Sequence, residues 1–181
     1  MNEGLIKGID GKRRCWWCGD DPLYMKYHDR EWGKCVTDDI RLFEKICLEG
    51  FQAGLSWITI LRKRENFRQA FHDFDFHKVS EFTHDDVERL LQDEGIIRHR
   101  GKIEATINNA QKIIDLIEQE GSFYAYLQRF KALPRGRLLS YNELKEVAIT
   151  EESEGLSKDL KKRGFKFVGP TTCYAFMQAM G

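Results

Sequence analysis

The sequence contains no long apolar stretch. Its longest run that is almost wholly apolar is about Trp57–Leu61, far short of the roughly 20 residues that span a bilayer. The N-terminal MNEGLIKGIDGKRR has no apolar core of the kind found in secretion signals. These absences argue against a helical membrane protein and predict a cytoplasmic protein with no membrane partner.

The sequence also has no excess of either charge. Lys and Arg number 29, Asp and Glu number 29, and the net charge is zero, so the basic total typical of many nucleic-acid binders is missing. Positive charge is instead concentrated in two groups, residues 98–102 and 158–166. Each group is typical of a solvated helix face, although the first could also contact phosphate or cap the helix that follows.

The sequence also lacks an even number of cysteines. Five cysteines in a chain predicted to be cytoplasmic argue against a disulfide framework. Cys15 and Cys18 have the spacing of metal ligands in Cys-Trp-Trp-Cys, but no βαβ pattern surrounds them as a redox pair would require. Metal binding or plain burial is therefore favoured over redox chemistry.

Length and composition predict one globular domain over residues 1–181. The chain is 41% hydrophobic and 32% charged, as in ordinary globular proteins. Residues 1–14 are predicted to be a flexible arm, and residues 131–140 to be a loop. Most of the remaining segments carry helical periodicity, so an all-α fold is expected.

One predicted helix carries an unexpected acid. Thr37 is expected to cap this helix, which ends at Gly50 and buries a stripe of apolar residues: Ile40, Phe43, Ile46 and Cys47. Glu49 then lies in the last turn, where a carboxylate faces the negative end of the helix dipole. Such a placement needs a compensating partner or a functional reason.

Residues 156–180 have the pattern of a helix-hairpin-helix. Gly164 ends the first helix, and Gly169-Pro170 begins the second with a proline where a missing N–H costs nothing. The glycine amides and the lysines nearby suit a DNA phosphate, because a helix N-terminus offers unpaired N–H donors to an anion. An ordinary helical hairpin is the alternative.

Aromatic residues are concentrated in the N-terminal third, above all in DPLYMKYHDREWG. Any single ring is more often part of a core, but here the rings alternate with charged residues, as in the wall of a cavity. A slot lined by rings and one acid suits a flat cationic guest, since aromatic faces attract positive charge.

Four segments together resemble a known family. They are DPLYMKYHDREWG, LFEKICLEGFQAGLSWITILRKRENFRQAFHDFD, DVERLLQDEGIIRHRGKIEATINNA and LSKDLKKRGFKFVGPTTCYAFMQAMG. In order and spacing they resemble the 3-methyladenine DNA glycosylase I family of bacterial base-excision repair. The resemblance runs from Cys15 to Gly181 and is weakest over residues 123–154.

The resemblance implies a helix-hairpin-helix glycosylase with a base-binding cleft between two helical lobes. Such an enzyme is a monofunctional monomer that extrudes and hydrolyses 3-methyladenine from alkylated double-stranded DNA, releases the free base and uses no catalytic cofactor. The matching base-pocket residues are Glu49, Trp17, Tyr27, Trp32 and Trp57. In a flexible tip formed with Gly54, Leu55 matches the residue that fills the gap in the duplex. The positions that match the DNA-backbone grip are Gly164, Lys166, Gly169 and Thr172.

The chemistry of the lesion agrees with a single acid. Methylation at N3 makes the attached adenine cationic, so it leaves as a neutral molecule with little help from a general acid. Glu49 is therefore expected to recognise the cationic base first, and only secondly to steady the sugar cation or position water. No obvious Schiff-base lysine accompanies the predicted pocket, which favours hydrolysis without strand nicking.

A structural zinc ion is also implied, but with an incomplete set of ligands. Cys15 and His28 match two of the family's zinc ligands, and Cys18 offers a third donor. The other two family ligands would lie beyond Gly181, so the chain is expected to be truncated or to have lost the metal.

Two other functions compete with a glycosylase. One is a non-catalytic helix-hairpin-helix DNA-binding protein, against which the presence of Glu49, Tyr27 and Trp57 argues. The other is a metal or thiol-redox protein built on Cys15 and Cys18, which leaves most of the matched sequence unexplained.

Overall fold

The computed structural model describes residues 4–132 and 140–181, in which helices form nearly all the regular structure. The elements are β1 Leu5–Lys7, β2 Arg13–Cys15, α1 Pro22–Arg30, α2 Asp39–Gln52, α3 Trp57–Ala70, α4 Phe76–Ser80, α5 His84–Gln92, α6 Arg100–Glu120, α7 Phe123–Leu127, α8 Tyr141–Glu146, α9 Glu151–Lys162 and α10 Pro170–Met180. The all-α class is confirmed. Within the described ranges, no helix is both long and apolar enough to cross a bilayer. The predicted loop over residues 131–140 lies largely outside these ranges.

The N-terminal arm differs from the flexible segment that the sequence predicts. Strands β1 and β2 pair antiparallel, with Ile6 opposite Arg14. The Arg14 side chain is only 3% exposed and bonds to Asp10 in the turn and to Asp29 in α1, with its Nε 2.9 Å from Asp29 Oδ1. This buried arginine attaches the hairpin to α1.

Helix α2 begins one residue later than predicted. Asp38, and not Thr37, is its N-cap, since Asp38 Oδ1 accepts a hydrogen bond of 2.9 Å from the backbone N–H of Arg41. With this start Ile40 lies outside the core and is 38% exposed, so its predicted burial is wrong. Phe43, Ile46 and Cys47 are buried as expected.

Helix α2 lies at the centre of the packing. It contacts α3, α6, α7 and α10, while α4 and α5 pack against α6. The buried apolar residues form one cluster that extends from Tyr27 to Phe176 and includes three residues at one face of α3 and its end, namely Ile60, Phe67 and Phe71. The last turn of α2 thus lies between α3, α6 and the C-terminal helices.

Helices α9 and α10 form the predicted helical hairpin. Helix α9 ends at Lys162, Gly164 follows with a φ of +90°, and Pro170 opens α10. A positive φ is the conformation that glycine adopts most readily. We call α9, residues 163–169 and α10 the C-terminal hairpin.

Candidate active site

The acid singled out by the sequence is buried and paired. Glu49 is 5% exposed, and its Oε1 lies 2.6 Å from the Nζ of Lys45, one turn earlier on α2. Lys45 is itself only 6% exposed. Its ammonium offsets the unfavourable position of the carboxylate near the negative end of the helix.

The Lys45 ammonium touches two aromatic residues as well. Its Nζ donates a hydrogen bond of 2.9 Å to the Tyr27 hydroxyl and lies 3.3 Å from the centroid of the Trp57 ring. Burial lowers the pKa of Lys45 to about 8, against the opposing effect of Glu49. We call Tyr27, Lys45, Glu49 and Trp57 the acid site. Sequence reasoning missed Lys45, for which the only signal was its spacing of four residues from Glu49.

The predicted aromatic residues occupy two positions relative to the acid. Tyr27 and Trp57 are 4% and 8% exposed, and their ring centroids are 5.5 Å apart inside the acid site. Trp17 and Trp32 instead form an edge-to-face pair, with Trp32 stacked on His28. These two tryptophans reach the acid site through an intermediate tyrosine.

Tyr24 is that tyrosine, and it is absent from the predicted pocket. Its ring centroid is 5.1 Å from that of Trp17 and 6.4 Å from that of Tyr27. Burial raises the pKa of Tyr24 to about 12, and the negative charges of Cys18 and Glu49 add to the shift. Tyr24 thus belongs to the surroundings of the acid.

One buried polar atom of the acid site lacks a partner. Across the part of the chain that the structure describes, no acceptor bonds the indole N–H of Trp57. Leaving a buried donor unpaired costs about 1–3 kcal/mol, so such an atom is a candidate for binding a ligand acceptor.

A cavity of about 350 Å³ opens beside Lys45. Its wall includes two carboxylates, each held by an arginine of α3: Arg64 bonds both oxygens of Glu31, at 2.6 and 3.0 Å, and Arg68 bonds Glu44 at 2.8 Å. The cavity therefore offers polar, charged surroundings next to a buried ammonium.

The Gly54-Leu55 tip lies between α2 and α3. Gly54 has a φ of +81°, Leu55 is 42% exposed, and the Leu55 N–H bonds Gln52 O at 2.6 Å. The buried Nζ of Lys102 donates to Phe51 O and Ala53 O at 2.9 and 2.6 Å. The tip is thus an exposed side chain on a hydrogen-bonded turn, and its flexibility stays a prediction.

The basic group at residues 98–102 is used for this support and for capping. Lys102 is 7% exposed and bonds the end of α2, so it is not a surface phosphate contact. His99 caps α6, since its Nδ1 accepts from the Lys102 N–H at 3.3 Å. Capping is thus confirmed for His99, while Arg98 and Arg100 are about half exposed and their contact with phosphate stays a prediction.

Two asparagines of α6 fix the turn of the C-terminal hairpin. Asn109 is 3% exposed; its Nδ2 donates to Lys166 O at 2.9 Å, and its Oδ1 accepts from the Lys166 N–H at 2.8 Å. Asn108 Nδ2 donates to Gly164 O at 2.8 Å. Gly169 caps α10 without a side-chain hydrogen bond, and Thr172 lies in the first turn of that helix. The sequence identified the hairpin but missed the asparagines.

The comparisons with known proteins agree with this arrangement. Residues 17–181 match the family model described as methyladenine glycosylase. The chain belongs to the methyladenine glycosylase family. The expected resemblance is confirmed over nearly the whole chain.

Relatives in the family are close in sequence and in fold. DNA-3-methyladenine glycosylase 1 of Escherichia coli is 53% identical over 93% of this chain and 90% of its own length. DNA-3-methyladenine glycosylase of Haemophilus influenzae is 48% identical over 93% and 91%.

Solved structures extend the likeness. A crystal structure of 3-methyladenine DNA glycosylase I is 54% identical, with a TM-score of 0.85 over 93% of this chain and 92% of that one. The Staphylococcus aureus enzyme, solved to explain 3-methyladenine recognition, is 38% identical, with a TM-score of 0.82 over 89% and 86%.

The zinc site implied by the methyladenine glycosylase family is only partly represented. The Cys15 N–H donates to His28 Nε2 at 3.3 Å, and His28 Nδ1 lies 3.0 Å from Asp29 Oδ1. Burial raises the pKa of the Cys15 and Cys18 thiols. Among residues 4–132 and 140–181, no three His, Cys, Asp or Glu side chains cluster as metal donors. These residues alone do not fit a closed tetrahedral site.

Proposed function

We propose that this methyladenine glycosylase extrudes 3-methyladenine from alkylated double-stranded DNA and hydrolyses its glycosidic bond. The observation that carries the proposal is the buried carboxylate of Glu49 beside the rings of Tyr27 and Trp57. The relatives named as 3-methyladenine glycosylases support it. The enzyme acts as a cytoplasmic monomer and needs no catalytic cofactor.

Recognition of the lesion rests on its charge. While bound to the sugar, a base methylated at N3 carries a positive charge that neutral adenine lacks. The Glu49 carboxylate and the face of Trp57 both favour a cation, and the unpaired N–H of Trp57 can donate to an acceptor on the base. The acid site thus selects the damaged base by electrostatics.

Cleavage of the glycosidic bond needs little catalytic assistance from the protein. The extruded base leaves as a neutral molecule, so one carboxylate suffices where a glycoside hydrolase needs two. Glu49 steadies the positive charge that develops on the sugar or orients the attacking water. Extrusion is cheapest for a damaged base, which adds to selectivity.

The monofunctional assignment has to account for Lys45, because a lysine does lie beside the pocket. The sequence-based reason for excluding a Schiff base is therefore wrong. In the free protein Lys45 is nevertheless an ammonium paired with Glu49, bonded to Tyr27 and placed against the face of Trp57. An ammonium in this ion pair is not a nucleophile.

DNA is held at two places. Leu55, exposed at its fixed turn, fills the gap left by the extruded base, as apolar wedges do in other DNA-bending proteins. Gly169 and Thr172, at the start of α10, hold the phosphate backbone through main-chain donors, and Lys166 adds positive charge. Gly164 shapes the turn between the two helices, and its own N–H bonds Lys161 O.

The direct test is incubation of the purified protein with methylated duplex DNA. We expect free 3-methyladenine, intact strands until the abasic sites are cleaved by alkali, and no covalent complex after borohydride treatment. Binding of DNA without release of any base would favour the non-catalytic DNA-binding alternative. Strand nicking or borohydride trapping would contradict a monofunctional mechanism.

A structural zinc ion would need donors besides Cys15 and His28. Two ligands are too few for a closed site, so we propose that Cys15 and His28 by themselves bind no zinc tightly. Metal analysis of the purified chain by mass spectrometry measures whether zinc is present.

A further inference from the structure

We propose that Lys45 is a built-in competitor of the base: its ammonium occupies the cation position of the acid site and must leave before any base can enter. The inference rests on the proposed function. It assigns a specificity-determining role to Lys45, a residue to which base recognition alone gives no role. It concerns entry of the base and release of the product, not the cleavage step.

The geometry of Lys45 is that of a bound cation. Its Nζ contacts Glu49 Oε1 at 2.6 Å, the Tyr27 hydroxyl at 2.9 Å and the face of Trp57 at 3.3 Å from the ring centroid. A carboxylate and an aromatic face are the same groups proposed to recognise the cationic base. One positive charge therefore already satisfies both.

This arrangement leaves the acid site with no net charge in the free enzyme. Glu49 and Lys45 are each about 95% buried, and a buried ion pair holds its partners far more firmly than a surface pair. A cationic base can replace the ammonium and restore the pairing of Glu49. A neutral base cannot, because its entry would leave the buried carboxylate unpaired.

The cavity beside Lys45 provides a place for the displaced side chain. It has a volume of about 350 Å³ and is lined in part by Glu31 and Glu44. Arg64 and Arg68 already pair these carboxylates, so an ammonium that swings away from Glu49 would share them with two arginines. The lysine side chain has a flexible four-carbon stem, so the ammonium can move without any change in the backbone of α2.

The consequence for the reaction follows from the change of charge at cleavage. The bound base is a cation before the bond breaks and a neutral molecule afterwards. Once the product is neutral it no longer pairs with Glu49, and the ammonium can return to the carboxylate. Lys45 thereby expels the product and excludes undamaged purines by the same contact.

The pH dependence of product binding is a signature that a purely structural lysine would lack. Other charged or titratable groups around Lys45 and its cavity come from α1, α2, α3 and the segment between α1 and α2: Tyr24, Tyr27, Arg30, Glu31, Lys34, Arg41, Glu44, Glu49, Arg64 and Arg68. The pKa values of Tyr24 and Tyr27 are raised by burial, and arginine stays protonated throughout. Between pH 7 and 9.5, Lys45 is therefore the group expected to change charge, since its pKa is about 8.

The experiment measures calorimetric binding of free 3-methyladenine to the parent protein, Lys45→Met and Lys45→Arg. Lys45→Met keeps an unbranched side chain without charge, and we expect it to bind the neutral base about tenfold more tightly at pH 7. The parent should bind more tightly as the pH rises through about 8 and approach Lys45→Met by pH 9.5. Lys45→Arg keeps its charge and should stay weak at every pH.

Controls separate the possible failures. Lys78→Met changes an exposed lysine on α4 that pairs with Asp75 at 3.3 Å. This variant should bind like the parent, and melting temperatures check that each variant is folded. If the parent releases no 3-methyladenine from methylated DNA, the proposed function fails. If the parent releases the base but Lys45→Met binds it no more tightly, or more weakly, the competitor role is overturned and Lys45 instead holds Glu49 in position.

Discussion

The acid site and the C-terminal hairpin differ in the chemical groups that form them. In the acid site, charged and aromatic side chains are buried against one another, with Lys45 and Glu49 2.6 Å apart. In the hairpin, the turn lies at the surface, and the buried side of its main chain is bonded by Asn109 through the N–H and C=O of Lys166. A site that distinguishes one base from another depends on side-chain chemistry, whereas a grip on phosphate needs only well-placed amides and positive charge.

Glu49→Gln should cause the largest loss on the acid-site side of this comparison. We expect release of 3-methyladenine from methylated DNA to slow by about 100-fold, as when a key electrostatic group is removed from an active site. Affinity for undamaged DNA should stay within about twofold of the parent, because the hairpin is untouched. Single-turnover rates and fluorescence anisotropy measure the two effects.

The control is the double variant Glu49→Gln with Lys45→Met, which removes both buried charges. Breaking a buried ion pair by removing one partner costs about 3–5 kcal/mol, whereas replacing both partners costs far less. If the double variant is as stable as the parent and still slow, the loss is chemical. A Glu49→Gln protein with the parent rate would remove Glu49 from the mechanism.

Asn109→Ala addresses the other region. It removes two hydrogen bonds to the main chain of Lys166, each worth about 1 kcal/mol, so unfolding should need about 2 kcal/mol less. DNA affinity should fall about tenfold, since the turn loses its fixed shape. Denaturant melts and anisotropy titrations give both values.

Asn108→Ala is the matched control, because Asn108 Nδ2 makes one exposed bond to the turn, to Gly164 O, besides a bond of 3.2 Å to Asn109 Oδ1. We expect less than half the loss of stability seen for Asn109→Ala. Equal losses for the two variants would mean that the shape of the turn does not depend on Asn109.

Leu55→Ala should have a smaller effect. Leu55 lies in neither the acid site nor the C-terminal hairpin. The side chain is 42% exposed, so stability should change by less than about 0.5 kcal/mol. Excision should slow about fivefold, because extrusion of the base costs a few kcal/mol, part of which the wedge offsets. The slowing should shrink when the lesion lies opposite a mismatch; an equal slowing on both substrates would argue against a wedge.

Lys166→Gln should give the smallest effect. Loss of one phosphate contact lowers the slope of log K against log[salt] by about 1 and weakens binding by a few fold at most. Binding titrations at several salt concentrations test this. An unchanged slope would place Lys166 outside the DNA contact.

The sequence predicted the helices of the site well because their signals are local. The start of α3 after Ser56 and the Gly164 and Gly169-Pro170 edges of the hairpin are set by residues a few positions apart. Glu49 could be singled out because its position at a helix end is unfavourable. Such features need no knowledge of distant contacts.

The residues that sequence reasoning missed depend on partners far along the chain. Lys102 bonds carbonyls 51 and 49 residues away, and Asn109 bonds a residue 57 positions later. Lys45 pairs locally with Glu49, but burial of a lysine is rare enough that a solvated position is the default expectation. Their positions emerge only when α2, α6 and the hairpin pack together.

The lysine that ties the end of α2 to α6 has a mechanical consequence. A side chain that holds a duplex open is pushed back by the strands that try to close. Because Lys102 Nζ bonds Phe51 O and Ala53 O, the load on the wedge proposed at Leu55 would pass from its turn into the 21-residue helix α6. The turn would therefore resist bending under this load, and the DNA would have to change its shape to fit the turn.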